Sequence, residues 1–397
     1  AIVWQDRRTS AICEQLKTQK LEPLIQSETG LLLDPYFSGT KIKWAIENWD
    51  DVKSAYNQHK LNAGTIDTYL IARLTSGESF VTDPSNASRT LAMNLRRGSW
   101  DSDLCKLLGI SRDILPEILP SAGEFGRTKG LSFLPDGIPI MGVLGDQQSA
   151  LLGQACIDAG TAKCTYGTGA FLLMNTGSEP VFSQHRLLTS VAWNLGKHGT
   201  QYMLEGSTFV AGAAVQWLRD GLGFIENSAD IEALASQVKD SNGVVFVPAL
   251  TGLGAPHWKA DATGMFTGLS RGVNRSHMAR AVLEGIAFQV TDVLKAMEKD
   301  VGAPVKALHV DGGAAANGLL MQIQADFLQT VLRRPKILET TSLGAVFAAG
   351  LGIGLWSSPE DIRKSWKLDR EFKPHQSSSE AGLQYQAWTK AVSRVMV

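Results

Sequence analysis

Two short segments of the chain combine residue types that could transfer a phosphoryl group to a hydroxyl. An apolar run at 138–144 ends in Gly145, and Asp146 follows at once; a Gly-Thr-Gly turn at 167–169 comes about twenty residues later. A carboxylate at the end of a buried strand is well placed as a general base, because ligands collect outside the carboxyl ends of strands in α/β sheets. A Gly-rich turn lets backbone amides approach an anion closely. The two segments together predict a base beside a phosphate cradle.

Each segment also has a purely structural interpretation. Asp146 could only cap a helix over 147–157, which is a common position for Asp, and the glycines could only supply the positive φ of a hairpin turn. Gln147 next to Asp146 favours the functional interpretation, because an amide beside an acid can hold a polyhydroxy ligand. The cradle is not a Walker loop, because the only Gly-Lys pair, at 196–197, is followed by histidine.

A third Gly-rich segment, Asp311-Gly312-Gly313, lies between a predicted strand and a helix expected from Asn317. Helix N-terminal amides bind anions, and glycines let a ligand lie against the backbone. A tight strand-to-helix turn without a ligand would use the same residues. Three Gly-rich or acidic strand ends in two α/β halves are nevertheless consistent with one cleft that holds both a hydroxyl compound and a nucleotide.

The segment Gly268-Leu269-Ser270-Arg271-Gly272 offers a competing enzyme class, because it fits the G-x-S-x-G elbow of α/β hydrolases. That elbow needs a strand before the serine and a helix directly after it. The preceding ATGMFT is a poor strand, and the next helix is expected only near Ser276. We interpret the match as chance and expect a buried structural turn. The histidines form no metal-ligand pattern.

The elements that position these residues alternate between strands and helices. Residues 138–144 form a continuous apolar run, which predicts a buried parallel strand, and residues 161–166 and 170–175 predict the two arms of a hairpin. Further strands are predicted at 1–5, 187–193, 201–204 and 305–310, and helices at 9–20, 41–49, 51–60, 65–74, 208–219, 276–300, 341–352 and 381–395. The pattern is typical of an α/β protein.

Length and composition restrict the class of protein. A chain of 397 residues is too long for one ordinary core, which predicts two domains with a boundary near 153–160. The net charge of −1 argues against a non-specific nucleic-acid binder and against a polybasic membrane anchor. The four cysteines are dispersed, which is typical of reduced thiols in the cytoplasm. No apolar run is long enough to span a bilayer.

Several ordered blocks resemble the FGGY family of carbohydrate kinases from one end of the chain to the other. The most specific blocks are AIVWQDRRT, TGLLLDPYFSGTK, TDPSNASRT, GDQQSALLGQ, KCTYGTGAF, ALTGLGAPHW and VDGGAAANGLLMQ. The resemblance implies two ribonuclease-H-like domains of the actin and hexokinase type around a cleft. It divides the chain into a partial substrate-side domain at 1–153 and a nucleotide-side domain at 154–397.

The blocks are most similar to the members that phosphorylate glycerol with ATP and Mg²⁺. By this resemblance Asp146 is the general base and holds Mg²⁺ through water, and Gln147 contacts glycerol. Trp4, Tyr36 and Phe171 are expected to line the glycerol pocket. Another polyol or ketose kinase of the family, such as a xylulokinase-like enzyme, remains an alternative.

The resemblance also implies a set of residues around ATP. Those expected at the nucleotide are Gly167, Thr168, Gly212, Gln216, Gly313 and Asn317. The family further implies a cytoplasmic enzyme that assembles as a homodimer or tetramer and binds neither nucleic acid nor membrane.

The sequence departs from the family pattern at three places. It has no D-Q-G-T-T-S hairpin for phosphate and magnesium and no N-Q-R-E-T stretch for glycerol, which predicts that it begins inside an incomplete first domain. A polypeptide that starts at Ala1 is therefore expected to lack kinase activity, and an inactive nucleotide-binding homologue is a further alternative. Residues 129–135, KGLSFLP, lack the Gly- and Arg-rich character linked to fructose-bisphosphate control, so that control is not expected.

Overall fold

The computed structural model describes residues 1–397, and its first 153 residues are mainly helical. The helices of this stretch are α1 (Ser10–Thr18), α2 (Glu22–Thr29), α3 (Ser38–Asn48), α4 (Asp50–Asn57), α5 (Ile66–Leu74), α6 (Pro84–Ala87), α7 (Ser102–Leu108) and α8 (Asp146–Gly153). The strands are β1 (Val81–Thr82), β2 (Met93–Asn94), β3 (Ser99–Trp100) and β4 (Glu117–Ile118). They form two small sheets, in which β1 pairs parallel with β4 and β2 pairs antiparallel with β3.

The remaining residues alternate strands and helices. The strands are β5 (Thr161–Tyr166), β6 (Ala170–Gly177), β7 (Leu188–Asn194), β8 (Thr200–Thr208), β9 (Val245–Val247), β10 (Met265–Thr267), β11 (Ala307–Asp311), β12 (Leu332–Pro335) and β13 (Leu368–Phe372). The helices are α9 (Gly212–Asp220), α10 (Asp230–Ala235), α11 (Arg275–Val301), α12 (Gly318–Leu328), α13 (Thr340–Gly352), α14 (Pro359–Ser365) and α15 (Ser378–Val395). None of the helices is long and apolar enough to cross a membrane.

A mixed sheet of seven strands, in the order β13-β12-β11-β5-β6-β8-β7, organises this second stretch. Strand β11 pairs parallel with both β5 and β12, and the other pairs are antiparallel. The predicted hairpin at 161–175 is confirmed as β5 and β6, joined by the Gly-Thr-Gly turn. The carboxyl ends of β5 and β11 meet at one edge, where Asp311 is the register partner of Thr165.

The two faces of the large sheet differ in character because side chains alternate along each strand. One face carries Ala162, Cys164 and Tyr166, which belong to the main apolar core together with the long helix α11. The opposite face carries Lys163 and Thr165. Around Lys163 and Thr165, helices α8 and α13 cover this face and pack on it through a smaller apolar cluster. Polar groups are thus concentrated on the face that α8 approaches.

Helices α8 and α13 cross with their backbones in direct contact. A Cβ on Gly344 would lie 1.8 Å from the carbonyl oxygen of Ser149, and one on Gly153 would lie 1.9 Å from that of Thr340. The Ser149 hydroxyl also donates a hydrogen bond to the carbonyl of Thr341 at 2.5 Å. Only glycine permits an approach this close, so the crossing point is fixed by these two residues.

The predicted buried strand at 138–144 is wrong. The segment is extended but only partly buried, and it pairs irregularly and antiparallel with residues 121–128. Isolated bridges join Ala122 to Gly142 and Arg127 to Pro139. Proline has no N–H for a regular ladder, which explains the interruption at Pro139. The strand predicted at 1–5 is also absent.

The G-x-S-x-G match at 268–272 is a turn, but it is exposed rather than buried. The short strand β10 ends at Thr267, and α11 begins only at Arg275 with Asn274 as its N-cap. The helix therefore does not follow the serine, and Ser270 lacks the geometry of a hydrolase nucleophile.

Candidate active site

Asp146 is the first residue of α8, and its side chain is exposed. The start of the helix is held by Ser85, whose hydroxyl accepts a hydrogen bond from the Gly145 N–H at 2.8 Å. The carbonyl of Ser85 accepts a second bond from the Gln148 amide at 3.3 Å. The side chain of Asp146 does not cap the helix from an N-cap position, because Gly145 occupies that position. Its carboxylate accepts a bond from the Gln147 N–H.

The support beneath α8 is centred on Asp83, which is completely buried. Its carboxylate accepts hydrogen bonds from the hydroxyls of Ser85 at 2.9 Å and Ser121 at 2.6 Å, and from the Asn86 amide at 2.8 Å. Burial raises the pKa of Asp83 to about 6, although the bonds from Ser121, Asn86 and Ser85 oppose that shift. The block TDPSNAS thus forms a rigid base for the helix that carries Asp146.

The aromatic pair Trp4 and Tyr36 belongs to the first, mainly helical part of the chain. Their rings meet edge to face with centroids 5.6 Å apart. Trp4 is 57% exposed, whereas Tyr36 is partly buried. Burial raises the pKa of Tyr36, and the charges of Glu205 and Asp146 act in the same direction while Arg89 opposes them. The hydroxyl of Tyr36 therefore stays protonated and can donate a hydrogen bond.

Tyr36 is backed by the guanidinium of Arg89, which lies 5.5 Å from the centre of its ring. Arg89 donates a hydrogen bond to the Ser190 hydroxyl at 2.7 Å and pairs with Glu205 at 3.0 Å. Glu205 and Ser190 lie on β8 and on the edge strand β7 of the large sheet. This ion pair therefore connects the Tyr36 loop to the large sheet.

Phe171 stands on the same face of the sheet as Glu205. It is the register partner of Ser207, two residues further along β8 than Glu205. Phe171 makes no ring contact with Trp4 or Tyr36, so the three predicted aromatics do not form one cluster. Trp4 and Tyr36 form a pair, and Phe171 belongs to the sheet on which Arg89 is anchored.

Lys163 brings a positive charge into the centre of the site. Its side chain is completely buried on β5, and its ammonium donates hydrogen bonds to Gln147 Oε1 at 2.8 Å and to the Thr165 hydroxyl at 2.9 Å. Burial lowers the pKa of Lys163, while the nearby carboxylates, with Asp311 the strongest, oppose that shift. A fully buried lysine is rare unless it has partners, which marks this position as functional.

A cavity of about 440 Å³ opens between the hairpin turn, α9 and the start of α12. Its size is typical of a small-molecule site. The residues predicted at the nucleotide all line it: Gly167, Thr168, Gly212, Gln216, Gly313 and Asn317. The structure therefore brings together in one cavity six residues that lie between positions 167 and 317 of the sequence.

Two local features shape this cavity. The carbonyl of Thr168 accepts hydrogen bonds from the N–H groups of Ala211 at 2.7 Å and Ala213 at 3.1 Å, which ties the turn to the start of α9. Gly312 has a φ of +87°, and a Cβ there would lie 2.5 Å from the Tyr166 carbonyl. Gly313 beside it has no atom within 4 Å of the Cβ position and faces open space.

Asp311 joins the cavity to the helix crossing. Its Oδ2 accepts hydrogen bonds from the Gln154 amide at 2.7 Å and the Thr340 hydroxyl at 2.5 Å. Its Oδ1 is buried without a hydrogen-bond partner. The end of the strand that precedes the cavity is thus bonded to the first residue of α13.

Comparison with known proteins agrees with this architecture. The model of the N-terminal domain of the FGGY family of carbohydrate kinases matches residues 1–153, and that of the C-terminal domain matches residues 162–353. The chain belongs to the FGGY family of carbohydrate kinases. It therefore has the mixed α/β, actin- and hexokinase-like two-domain fold of that family.

Relatives and solved structures place the chain within the FGGY family. It is 55% identical to a glycerol kinase of Myxococcus xanthus over 99% of this chain and 80% of the relative. It is 52% identical to a glycerol kinase of Bdellovibrio bacteriovorus over 100% and 80%. The structure of Plasmodium falciparum glycerol kinase with ADP matches with a TM-score of 0.96 and 37% identity, over 100% of this chain and 79% of that one. A xylulose kinase of Lactobacillus acidophilus, 24% identical over 99% of this chain and 78% of that one, shares the fold with a TM-score of 0.86.

Sequence reasoning missed three charged residues of this FGGY site. Lys163 is completely buried, and Glu205 is 4% exposed. The side chain of Arg89 is 16% exposed. A signal existed for two of them, because Lys163 lies within the apolar strand TAKCTY and Glu205 within YMLEGST. A charge inside an apolar strand needs a partner, and that requirement alone could have marked both positions.

Proposed function

We propose that this FGGY kinase transfers the γ-phosphoryl group of ATP to a primary hydroxyl of glycerol, giving sn-glycerol 3-phosphate and ADP. The observation that carries the proposal is that Lys163 on β5 bonds Gln147, the neighbour of Asp146, while the turn that follows β5 lines the cavity shared by the six residues predicted at the nucleotide. The glycerol kinase relatives, at 52 and 55% identity, support glycerol as the acceptor.

Asp146 is the general base in this mechanism. The acceptor oxygen attacks the γ-phosphorus of ATP, and the bond between the γ-phosphorus and the β–γ bridging oxygen breaks, so that ADP leaves. The proton of the acceptor hydroxyl passes to the Asp146 carboxylate. Phosphoryl transfer depends mainly on positioning and on neutralising charge, so the rigid base formed by Asp83 and Ser85 beneath α8 matters as much as the acid itself. An exposed carboxylate at a helix start is free to reach the hydroxyl.

The acceptor pocket combines apolar rings with polar groups, as glycerol requires. We assign the rings of Trp4, Tyr36 and Phe171 to the CH₂ groups, with Trp4 and Tyr36 as an edge-to-face pair. The Tyr36 hydroxyl, the Gln147 amide and Asp146 suit the hydroxyls. A larger sugar would need further polar partners, so the aromatic wall favours a small polyol.

The nucleotide side is formed by glycine-containing backbone turns together with a few uncharged polar side chains. The Gly167–Thr168 turn and the start of α9 at Gly212 would hold the phosphates, because backbone amides and a helix start favour anions. Gln216, Gly313 and Asn317 would border the adenosine.

Magnesium fits this donor set only as an ion carried largely by the phosphates and water. The chain has no group of three or more His, Cys, Asp or Glu side chains that could hold a metal by themselves. Mg²⁺ commonly binds through one or two carboxylates, several waters and substrate phosphates, and Asp146 would be its carboxylate partner through water. When bound, the ion neutralises charge on the transferring phosphoryl group.

The test is a substrate panel with glycerol, xylulose and gluconate, in which ADP formation is measured with each acceptor. Glycerol-dependent ADP release and a product that an sn-glycerol 3-phosphate dehydrogenase oxidises are the expected results. Turnover with xylulose or gluconate but not glycerol would contradict the choice of acceptor. ADP binding without turnover of any acceptor would favour a nucleotide-binding homologue.

The remaining expectations are tested separately. The division at 153–154, the cytoplasmic location and the homodimer or tetramer stay predictions. The four free, buried cysteines support a reducing compartment. Light scattering on the purified protein measures its oligomeric state directly.

A further inference from the structure

The contact between Lys163 and Gln147 decides which end of the Gln147 amide is available to a ligand. The two ends of a carboxamide have nearly the same shape and differ only in hydrogen bonding. A lysine ammonium can donate hydrogen bonds but cannot accept one. The end that faces Lys163 at 2.8 Å is therefore the carbonyl oxygen, and the two N–H donors remain on the other side.

Lys163 itself is held so that it cannot turn away. The side chain is completely buried, and its second bond runs to Thr165, two residues along the same face of β5. Asp311 is the register partner of Thr165 and supplies a negative charge close by. Burial lowers the pKa of Lys163, but the carboxylates of Asp311, Glu205 and Asp146 all favour the charged form.

We propose that Lys163 is a positioning residue that fixes Gln147 as a hydrogen-bond donor to the acceptor hydroxyl and thereby directs the proton of that hydroxyl to Asp146. The inference rests on the proposed function, in which Gln147 and Asp146 meet the acceptor. It assigns to Lys163 a role that acts on the acceptor through Gln147.

The reasoning follows from the valence of a hydroxyl oxygen. A hydroxyl has one proton and two lone pairs. If a side-chain N–H of Gln147 occupies one lone pair, the hydroxyl proton must point to an acceptor. The Asp146 carboxylate lies at the backbone of Gln147, whose main-chain N–H it accepts at 2.7 Å. The second lone pair is then free to attack phosphorus. With the amide reversed, Gln147 would compete with Asp146 for the same proton.

The first test is a double-mutant cycle on kcat/KM for glycerol. The change Lys163→Met removes the donor while keeping the length of the side chain, and we expect kcat/KM for glycerol to fall by about 10- to 100-fold. The KM for ATP should stay within about twofold. In a Gln147→Ala background the same change should cost less than about threefold, because the group through which Lys163 acts is gone. An equal loss in both backgrounds would overturn the proposal.

A second variant avoids the problem that Lys163→Met could weaken folding. Gln147→Glu keeps an oxygen acceptor for Lys163 and even pairs its charge, but the carboxylate has no N–H to donate. We expect this variant to melt no lower than the wild type and to lose as much kcat/KM for glycerol as Gln147→Ala. Wild-type kcat/KM in Gln147→Glu would show that donation by Gln147 is not needed.

A third measurement needs no turnover and therefore separates this inference from the proposed function. The Gln147 side-chain carbonyl carbon can be observed by NMR in the free protein after selective ¹³C labelling. Removing the ammonium in Lys163→Met should move that resonance upfield, because a carbonyl carbon is deshielded by a donor. An unchanged resonance would refute the amide orientation, whatever the substrate panel shows.

Discussion

Arg89 and Glu205 form a buried ion pair between the region that matches the N-terminal family model and the central sheet. The guanidinium Nη1 lies 3.0 Å from Glu205 Oε2, and only 16% and 5% of the two side chains are exposed. The same guanidinium lies against the ring of Tyr36. The pair therefore fixes Tyr36, which we propose lines the acceptor pocket, to a strand that is 116 residues away in sequence from Arg89.

Removing Arg89 should destabilise the protein and loosen the acceptor site together. In Arg89→Met the Glu205 carboxylate stays buried without its partner, which typically costs about 3–5 kcal/mol. We also expect a higher KM for glycerol, because Tyr36 loses its backing. Urea unfolding and steady-state kinetics measure the two effects.

Two variants control this prediction. Lys17→Met removes an exposed partner of Glu14 and should cost less than about 1 kcal/mol. The combined change Arg89→Met and Glu205→Leu should recover part of the stability, because no unpaired charge remains. A double variant as unstable as Arg89→Met would argue that packing, and not charge, dominates at this site.

Replacing the proposed base should abolish chemistry without affecting the nucleotide. We expect Asp146→Asn to lower kcat by roughly two or more orders of magnitude and to leave the dissociation constant for ADP unchanged. Turnover assays and calorimetry measure the two quantities. Asp51→Asn is the matched control, because Asp51 is also an exposed acid in the first turn of a helix. Normal turnover of Asp146→Asn would remove Asp146 from the mechanism.

Adding one methyl group at Gly313 should weaken nucleotide binding selectively. Gly313 lines the cavity and a Cβ there meets no atom of the protein, so the methyl occupies the space that we propose for the nucleotide. We expect Gly313→Ala to raise the KM for ATP by about tenfold, equivalent to about 1.4 kcal/mol, with an unchanged melting temperature. Gly382→Ala on α15 also meets no atom and should leave the KM for ATP as it is. An unaffected KM in Gly313→Ala would place the nucleotide elsewhere.

His309 should make the protein less stable in acid. Burial, with smaller effects of Arg333 and Arg363, lowers the pKa of His309 from 6.5 to about 4 in the folded state. Between these values the unfolded chain binds a proton that the folded protein does not. The free energy of unfolding therefore falls as the pH falls from about 6.5 to about 4, by up to about 1.4 kcal/mol per pH unit.

The check compares the slopes of unfolding free energy against pH. In His309→Gln the slope of the unfolding free energy against pH should be smaller than in the wild type by up to about 1.4 kcal/mol per pH unit, which is the contribution of one proton. The exposed His375→Gln should retain the wild-type slope. If His309→Gln kept the full slope as well, other groups would be responsible for the acid sensitivity.

The part of this site that sequence could predict is local in the chain. The hairpin at 161–177, the turn at 167–169 and the Gly312–Gly313 turn follow from glycine positions and alternation, which depend on neighbouring residues. The strand predicted at 138–144 was wrong because an apolar run does not reveal which segment pairs with it. The family fold was predicted from the resemblance of several sequence blocks to the FGGY family, not from hydrophobic periodicity.

The missed residues depend on contacts that no local pattern contains. Lys163 meets Gln147 only because α8 lies across β5, and Arg89 meets Glu205 only through the packing of the TDPSNAS block on β7 and β8. Which charges become partners is decided by the register and packing of the sheet. The need for a partner is visible in the sequence, but its identity is not.

The crossing of α8 and α13 makes Asp146 the end of a lever arm. Asp146 and Gly153 are the two ends of α8, so at 1.5 Å per residue they are about 10 Å apart. A rotation of α8 by about 10° around Gly153 would displace Asp146 by about 2 Å, whereas an error of about 1 Å can cost about 100-fold in rate. The backbone contact of Gly344 with Ser149 lies between Gly153 and Asp146 and opposes that rotation. We therefore expect the position of Asp146 in the cleft to depend on two glycines, Gly153 and Gly344, that lie outside the proposed site.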